Sequence, residues 1–184
     1  LTCNLSELHT AMQDEISLHR EKTELCAFFY DLFERTRTLC MTKNIELSCH
    51  LPQQMFYGWI DRQRIERAVL NLLSNALKFT PAGGKITMRL ENAGANAVFR
   101  LSDNGEGIAP DVLASAFSRY DRALQLGDPR WGVGIGLPLV QKIAQLHGGS
   151  VIVQSKPGEG TSVSMSLSLK QPTAAQLVES PIAA

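Results

Sequence analysis

Near the end of the chain the segment TSVSMSLSL alternates without a break, Val163, Met165, Leu167 and Leu169 being separated by Ser162, Ser164, Ser166 and Ser168. Successive side chains of a strand point to opposite faces, so this strand belongs to a sheet that is buried on one side and wet on the other. KITMRLE at 85–91 and AVFRLSD at 97–103 alternate in the same way and pair across a tip near ENAGAN. SVIVQS forms a hairpin with the last strand around KPGEG. NIELSCHL at 44–51, ended by Pro52, and MFYGWI at 55–60 supply two shorter strands. Helical spacing of apolar residues marks 1–13, 24–42, 62–79 and 137–147, with a short helical stretch near 110–120. Gly148-Gly149 stops the fourth of these helices. Strands interspersed with helices, and a sheet wet on one face, imply an α+β two-layer sandwich. Its sheet is mixed but mostly antiparallel, and the helices cover one face of it.

Eighteen basic and eighteen acidic side chains cancel, so no net field recruits nucleic acid or an acidic membrane. No apolar run approaches the ~20 residues of a spanning helix. The start LTCNLSELHT lacks both a signal-peptide pattern and an initiator Met, which reads as a piece of a longer protein. Cys3, Cys26, Cys40 and Cys49 have no metal-site spacing and read as reduced thiols of a cytosolic domain. The Ala/Pro-rich residues 171–184 read as a disordered tail.

The helix over 62–79 has two characters. Ile65, Val69, Leu72, Leu73 and Ala76 gather on one side. Arg64, Arg67, Asn71, Asn75 and Lys78 gather on another, within an arc of roughly 80°. Each Asn costs a helix about half a kcal/mol against Ala, so two of them one turn apart need a reason. An amide oxygen is a hard, neutral ligand suited to Mg²⁺ that keeps waters and phosphate oxygens, and a lysine one turn on can reach a phosphate. For this helix alone, a solvated polar face is an equally good reading.

Two glycine-containing turns add to it. Asp103 ends a strand and is followed by Asn104-Gly105-Glu106-Gly107. A carboxylate held there can accept from an adenine amino group while glycines leave room for the ring, although Asp-Asn-Gly by itself is a common structural turn. GVGIGL at 132–137 has neither the spacing of a dinucleotide-binding loop nor the Lys-Ser/Thr of a P-loop. It remains a glycine segment whose N–H groups meet a helix start, a favourable place for phosphates.

Together, in this order, the blocks resemble the nucleotide-binding domain of sensor histidine kinases, within the GHKL ATPase superfamily and its Bergerat ATP-binding fold. NLLSNALKFTP is similar to that family's asparagine box, DNGEGI to its first glycine box, GVGIGLPLV to its second and FSRYDR at 117–122 to its phenylalanine box. LHGG at 146–149 and GEGTSV fit as well, so the likeness covers about 44–169.

The resemblance implies ATP and Mg²⁺ as cofactors. It makes Asn75 the metal ligand, with Asn71 and Lys78 lining the phosphate channel. Asp103 would hold the adenine amino group, directly and through a water placed by Thr161, while Gly105, Gly107 and Ile108 shape the base pocket. Gly132, Gly134, Gly136 and Leu137 would line the phosphates. Residues from about 109 to 136 would form a lid with Phe117 as its anchor, and Arg122 would stabilise the transferring phosphoryl group beside Asn71 and Lys78. ATP-hydrolysing relatives in the superfamily carry Glu where this chain has Asn71. Water needs a base to become a good nucleophile and a neutral imidazole does not, so Asn71 favours transfer to histidine.

None of the four histidines stands in the phosphoacceptor context of sensor kinases. His147, at a helix end, reads as a structural cap. The implied organisation is the end of a dimerisation helix and linker over 1–20, an ATP-binding catalytic domain over 21–170 and a tail beyond. The implied partners are an upstream dimerisation and phosphoacceptor domain and a response-regulator receiver domain, in a full-length homodimer. Neither nucleic acid nor direct membrane contact is implied. The domain itself would be cytoplasmic, whether or not the full-length protein is anchored in an inner membrane. Two alternatives stay open: a nucleotide-binding module of a degenerate kinase, and a GHKL serine kinase of the anti-sigma-factor type.

Overall fold

The structure is a computed structural model that describes residues 18–114 and 136–171. The helix expected over 1–13, most of the stretch near 110–120 and the tail lie outside the described residues. Five strands form the main sheet in the order β2-β4-β5-β7-β6: β2 (Glu46–His50), β4 (Lys85–Ala93), β5 (Asn96–Asp103), β6 (Val151–Lys156) and β7 (Gly160–Ser168). The β2–β4 pair is parallel and the other pairs are antiparallel. A second, two-stranded sheet joins β1 (Glu21–Glu24) to β3 (Tyr57–Ile60). The polar, four-residue EKTE segment has no pattern that marks it as a strand. Its pairing with β3 makes it one.

Among the described residues three helices cover the buried face: α1 (Leu25–Thr42), α2 (Arg62–Phe79) and α3 (Gly136–Leu146). Glu24 caps α1 by accepting from the N–H groups of Cys26 at 3.0 Å and Ala27 at 2.6 Å. Asp61 caps α2, accepting from Arg64 N–H at 3.1 Å. The helix ends at Thr80, whose extended backbone suits the residue before Pro81. Pro138 sits in the first turn of α3, where its missing N–H costs little.

Apolar residues of the helices meet Ile86, Met88 and Leu90 of β4, Ala97, Phe99 and Leu101 of β5, and Val163, Met165 and Leu167 of β7. Phe29 of α1 stacks on Phe99 with ring centroids 4.7 Å apart, tying the first helix to the centre of the sheet. The other face is wet, and its serines bond sideways across strands: Ser102 to Ser162 at 2.9 Å, and Arg100 Nε to Ser164 at 3.0 Å. Cys26, Cys40 and Cys49 are free thiols. Among the described residues no helix is long and apolar enough to cross a membrane.

His147 is a structural cap of a kind different from a charged helix end. It is 1% exposed, with Nδ1 2.8 Å from the Ile143 carbonyl and Nε2 accepting the Asp61 N–H at 3.0 Å. Burial pushes its pKa below the ordinary value, so the ring is neutral with its proton on Nδ1. It thereby joins the end of α3 to the start of α2. The chain entering the domain is tied to the same corner: His19 N–H donates to Asp61 Oδ2 at 3.2 Å and the Arg20 guanidinium to the Leu146 carbonyl.

Candidate nucleotide site

The polar stripe of α2 survives folding. Asn71 and Asn75 are half-buried and Lys78 is exposed, while the opposite face of the helix enters the core. Asn71 Nδ2 donates to the Arg67 carbonyl one turn back at 3.0 Å, which orients its amide along the helix. Gly136, the first residue of α3, lies against both amides. A Cβ there would stand 3.0 Å from Asn75 Nδ2 and 3.7 Å from Asn71 Oδ1. The end of the second glycine block therefore meets the asparagine helix. Leu137, the next residue, is buried in the core, so what it offers a ligand comes from its backbone.

The acid turn docks on the C-terminal end of the same helix. Glu106 N–H donates to the Phe79 carbonyl at 3.1 Å, and a Cβ on Gly105 would stand 2.4 Å from that oxygen. Asn104 pins the turn to β4, its Oδ1 accepting from Lys85 N–H at 2.7 Å. Gly107 has φ +70° and no room for a side chain, since a Cβ would meet the Lys156 carbonyl at 2.0 Å. Asn75 lies four residues before Phe79, about 6 Å along the axis, so acid turn and asparagine pair line one stretch of α2.

Asp103 closes β5 directly opposite Thr161 of β7, and Thr161 in turn opposes Ser155 of β6. Cross-strand partners share a face, so Asp103, Thr161 and Ser155 form one polar row at the end of the helix-covered side. Asp103 Oδ1 accepts from Gly105 N–H at 2.9 Å and Thr161 N–H at 3.3 Å. Burial raises the carboxyl pKa, and these two backbone donors pull it back. Its Oδ2 has no hydrogen bond among the described residues and is free to accept from a ligand amino group. Ile108 completes the wall, its N–H donating to Ser155 Oγ at 2.8 Å.

The profile of histidine kinase-, DNA gyrase B- and HSP90-like ATPases matches residues 60–171, which contain the asparagine helix, the acid turn and the polar row. The chain belongs to this ATPase family. It carries the catalytic, ATP-binding type of domain found in sensor histidine kinases. Histidine protein kinase DivJ of Caulobacter vibrioides is 33% identical over 171 residues, 89% of this chain and 29% of DivJ, so the chain spans less than a third of that relative. A mycobacterial sensor histidine kinase, MprB, superposes with a TM-score of 0.65 at 28% identity, over 81% of this chain and 97% of that one. The catalytic domain of histidine kinase ThkA superposes with a TM-score of 0.70 at 19% identity, over 83% and 97% of the two chains, and shares the fold. ThkA has also been solved in complex with response regulator protein TrrA.

In this ATPase-family domain the site residues expected from the sequence fall into two groups. Asn71, Asn75, Lys78, Asp103, Gly105, Gly107, Ile108, Gly136, Leu137 and Thr161 lie along α2, the acid turn, the start of α3 and the polar row. Arg122, Gly132 and Gly134 lie outside the described residues, as does Phe117. Three residues enter the site from tertiary structure. Ser155 and Asn104 brace the acid turn, and Phe79 is 38% exposed with Lys78 Nζ 5.2 Å from its ring centroid. No signal marked Phe79, which shares the helix face of buried Leu72 by periodicity, and Ser155 sits on a strand with no signal of its own. Among the described residues no group of three His, Cys, Asp or Glu could hold a metal ion.

Proposed function

We propose that this chain is the catalytic domain of a two-component sensor histidine kinase and transfers the γ-phosphate of ATP to a histidine on an upstream dimerisation domain. The observation that carries the reading is the convergence on α2: Gly136 against Asn71 and Asn75, and the acid turn on Phe79 four residues further on. Adenine belongs at the Asp103 end and the phosphates at the Asn75–Gly136 end. Asp103 Oδ2 accepts from the adenine amino group, and Thr161 helps place a bridging water. The shallow wall of Gly105, Gly107 and Ile108 admits the flat ring. Lys78 and Asn71 line the phosphates, Arg122 stabilises the group in transfer, and backbone donors of Gly132, Gly134, Gly136 and Leu137 hold phosphate oxygens.

Asn75 and its neighbours fit a Mg²⁺ ion, because neutral amide oxygens suit a hard cation that shares its shell with phosphates and water. When bound, the ion neutralises charge on the phosphoryl group, and phosphoryl transfer needs chiefly such neutralisation and positioning. No carboxylate is needed at position 71, since the imidazole attacks phosphorus through an existing lone pair while the bond to ADP breaks.

The domain bounds 1–20, 21–170 and 171–184, the dimeric full-length protein, the response-regulator partner and a cytoplasmic placement belong to the same proposal. Support comes from the kinship with DivJ and from the ThkA–TrrA complex.

Incubation of the domain with labelled ATP, Mg²⁺ and the separate upstream helical hairpin tests it. Label on the hairpin that survives base and is lost in acid is the expected result. Tight ATP binding without transfer to a folded hairpin points instead to a degenerate, non-catalytic module, and acid-stable label points to a serine kinase.

A further inference from the structure

We infer that Ser155 is a positioning residue for base recognition, acting on the nucleotide through Thr161 and the Gly107–Ile108 turn. The inference rests on the reading of the Asp103 row as an adenine site, and it adds the residue that holds that row in place.

Ser155 Oγ accepts the Ile108 N–H at 2.8 Å, donates to the Gly160 carbonyl at 2.9 Å, and stands 2.8 Å from Thr161 Oγ1. A hydroxyl has one proton and two lone pairs, so three such contacts use all that it has. Each contact reaches a different part of the pocket wall. Ile108 belongs to the acid turn, Gly160 to the tip of the β6–β7 hairpin, and Thr161 to the strand opposite Asp103. Gly160 is itself critical, with φ +90° and space so tight that a Cβ would meet the Asp103 carbonyl at 2.0 Å.

Thr161 is β-branched and stiff at χ1, so what a partner on β6 fixes is the direction of its hydroxyl proton. Ser155 is that partner. With its proton committed to Ser155, Thr161 Oγ1 offers lone pairs only, in the same row as Asp103, and the pair reads a 6-amino purine. Without Ser155 the Thr161 hydroxyl proton has no acceptor on β6 and can turn toward the base, and the Ile108 N–H loses its acceptor. The wall can then adapt to a 6-oxo purine.

The test measures Kd for ATP and for GTP, both with Mg²⁺, on the 184-residue chain carrying Ser155→Ala, Ser155→Thr, Thr161→Val, and Ser155→Ala with Thr161→Val. Ser155→Ala should lower the ATP-over-GTP preference about ten-fold, roughly the worth of one hydrogen bond. Ser155→Thr, which keeps the hydroxyl, should retain the preference. Adding Ser155→Ala to Thr161→Val should change the preference little further, because a residue that acts through another is not additive with it. An unchanged preference in folded Ser155→Ala, or full additivity in the double variant, overturns the inference. Should Ser155→Ala not fold, a loss of preference in folded Ser155→Thr would overturn it equally. Failure of the wild-type chain to bind ATP would instead overturn the underlying site reading.

Discussion

Replacing His147 by Ala tests whether a neutral, buried ring holds α2 to α3. The ring is 1% exposed and makes one hydrogen bond at each nitrogen. Its removal leaves the Ile143 carbonyl with another donor, the His147 backbone N–H at 3.2 Å. The Asp61 N–H loses its acceptor, which costs about 1–3 kcal/mol when buried. Truncating a buried side chain adds a cavity term, for a total of about 3–5 kcal/mol. For a chain of this size that corresponds to a fall in Tm on the order of 10 °C.

The pH dependence distinguishes this neutral bridge from a charged cap. Burial lowers the folded pKa of His147, and the Arg20 and Arg64 charges act in the same direction, against the Ile143 carbonyl and Asp61. In the unfolded chain the ring titrates near pH 6.5, so its stabilising effect is fully present above that value. As pH falls below it, the unfolded state takes up a proton that the folded state refuses. The advantage of wild type over His147→Ala therefore shrinks toward the lower folded pKa, by at most about 1.4 kcal/mol per pH unit. Urea unfolding followed by circular dichroism from pH 8 to pH 5 measures the difference. An advantage that widens as pH falls would mean a protonated ring in the native state and would refute the reasoning.

Asn75→Ala should abolish Mg²⁺-dependent ATP binding in calorimetry while leaving the fold intact, and an unchanged affinity would sink the metal assignment. Gly160→Ala combines a left-handed backbone, costing about 1–2 kcal/mol for a residue with a Cβ, with an overlap on the Asp103 carbonyl. It should lower Tm and ATP affinity together, and loss of one without the other would separate the hairpin tip from the site. The Cys49 thiol is pushed up to about 11, chiefly by burial and then by Glu34. Only about one thiol in a thousand would then be ionised at pH 8. Its alkylation in the native protein should be roughly a hundred-fold slower than in urea, as read by mass spectrometry.

The helix over 62–79 was legible to the residue because both of its faces carry a signal: an apolar stripe for the core and a polar stripe that holds two amides. The antiparallel strands were equally legible, since alternation states which face is buried. β1 was not, because four polar residues become a strand only when β3 lies beside them. Nor was the parallel course of β2 beside β4, which depends on the chain crossing through β3 and α2 and not on residues within either strand.

The same division runs through the site. Asn71, Asn75 and Lys78 share a face by helical arithmetic, and Asp103 ends a strand by alternation, so their placement could be read from periodicity, while the roles proposed for them come from the family resemblance. That Gly136 rests on the two amides, that Phe79 receives the acid turn, and that Ser155 stands behind Thr161 are contacts between segments tens of residues apart. Local pattern carries the propensity of each segment and the chemistry of each side chain. Which segments meet is decided by burying one shared apolar face, and only that packing brought the acid turn and the start of α3 onto the asparagine helix.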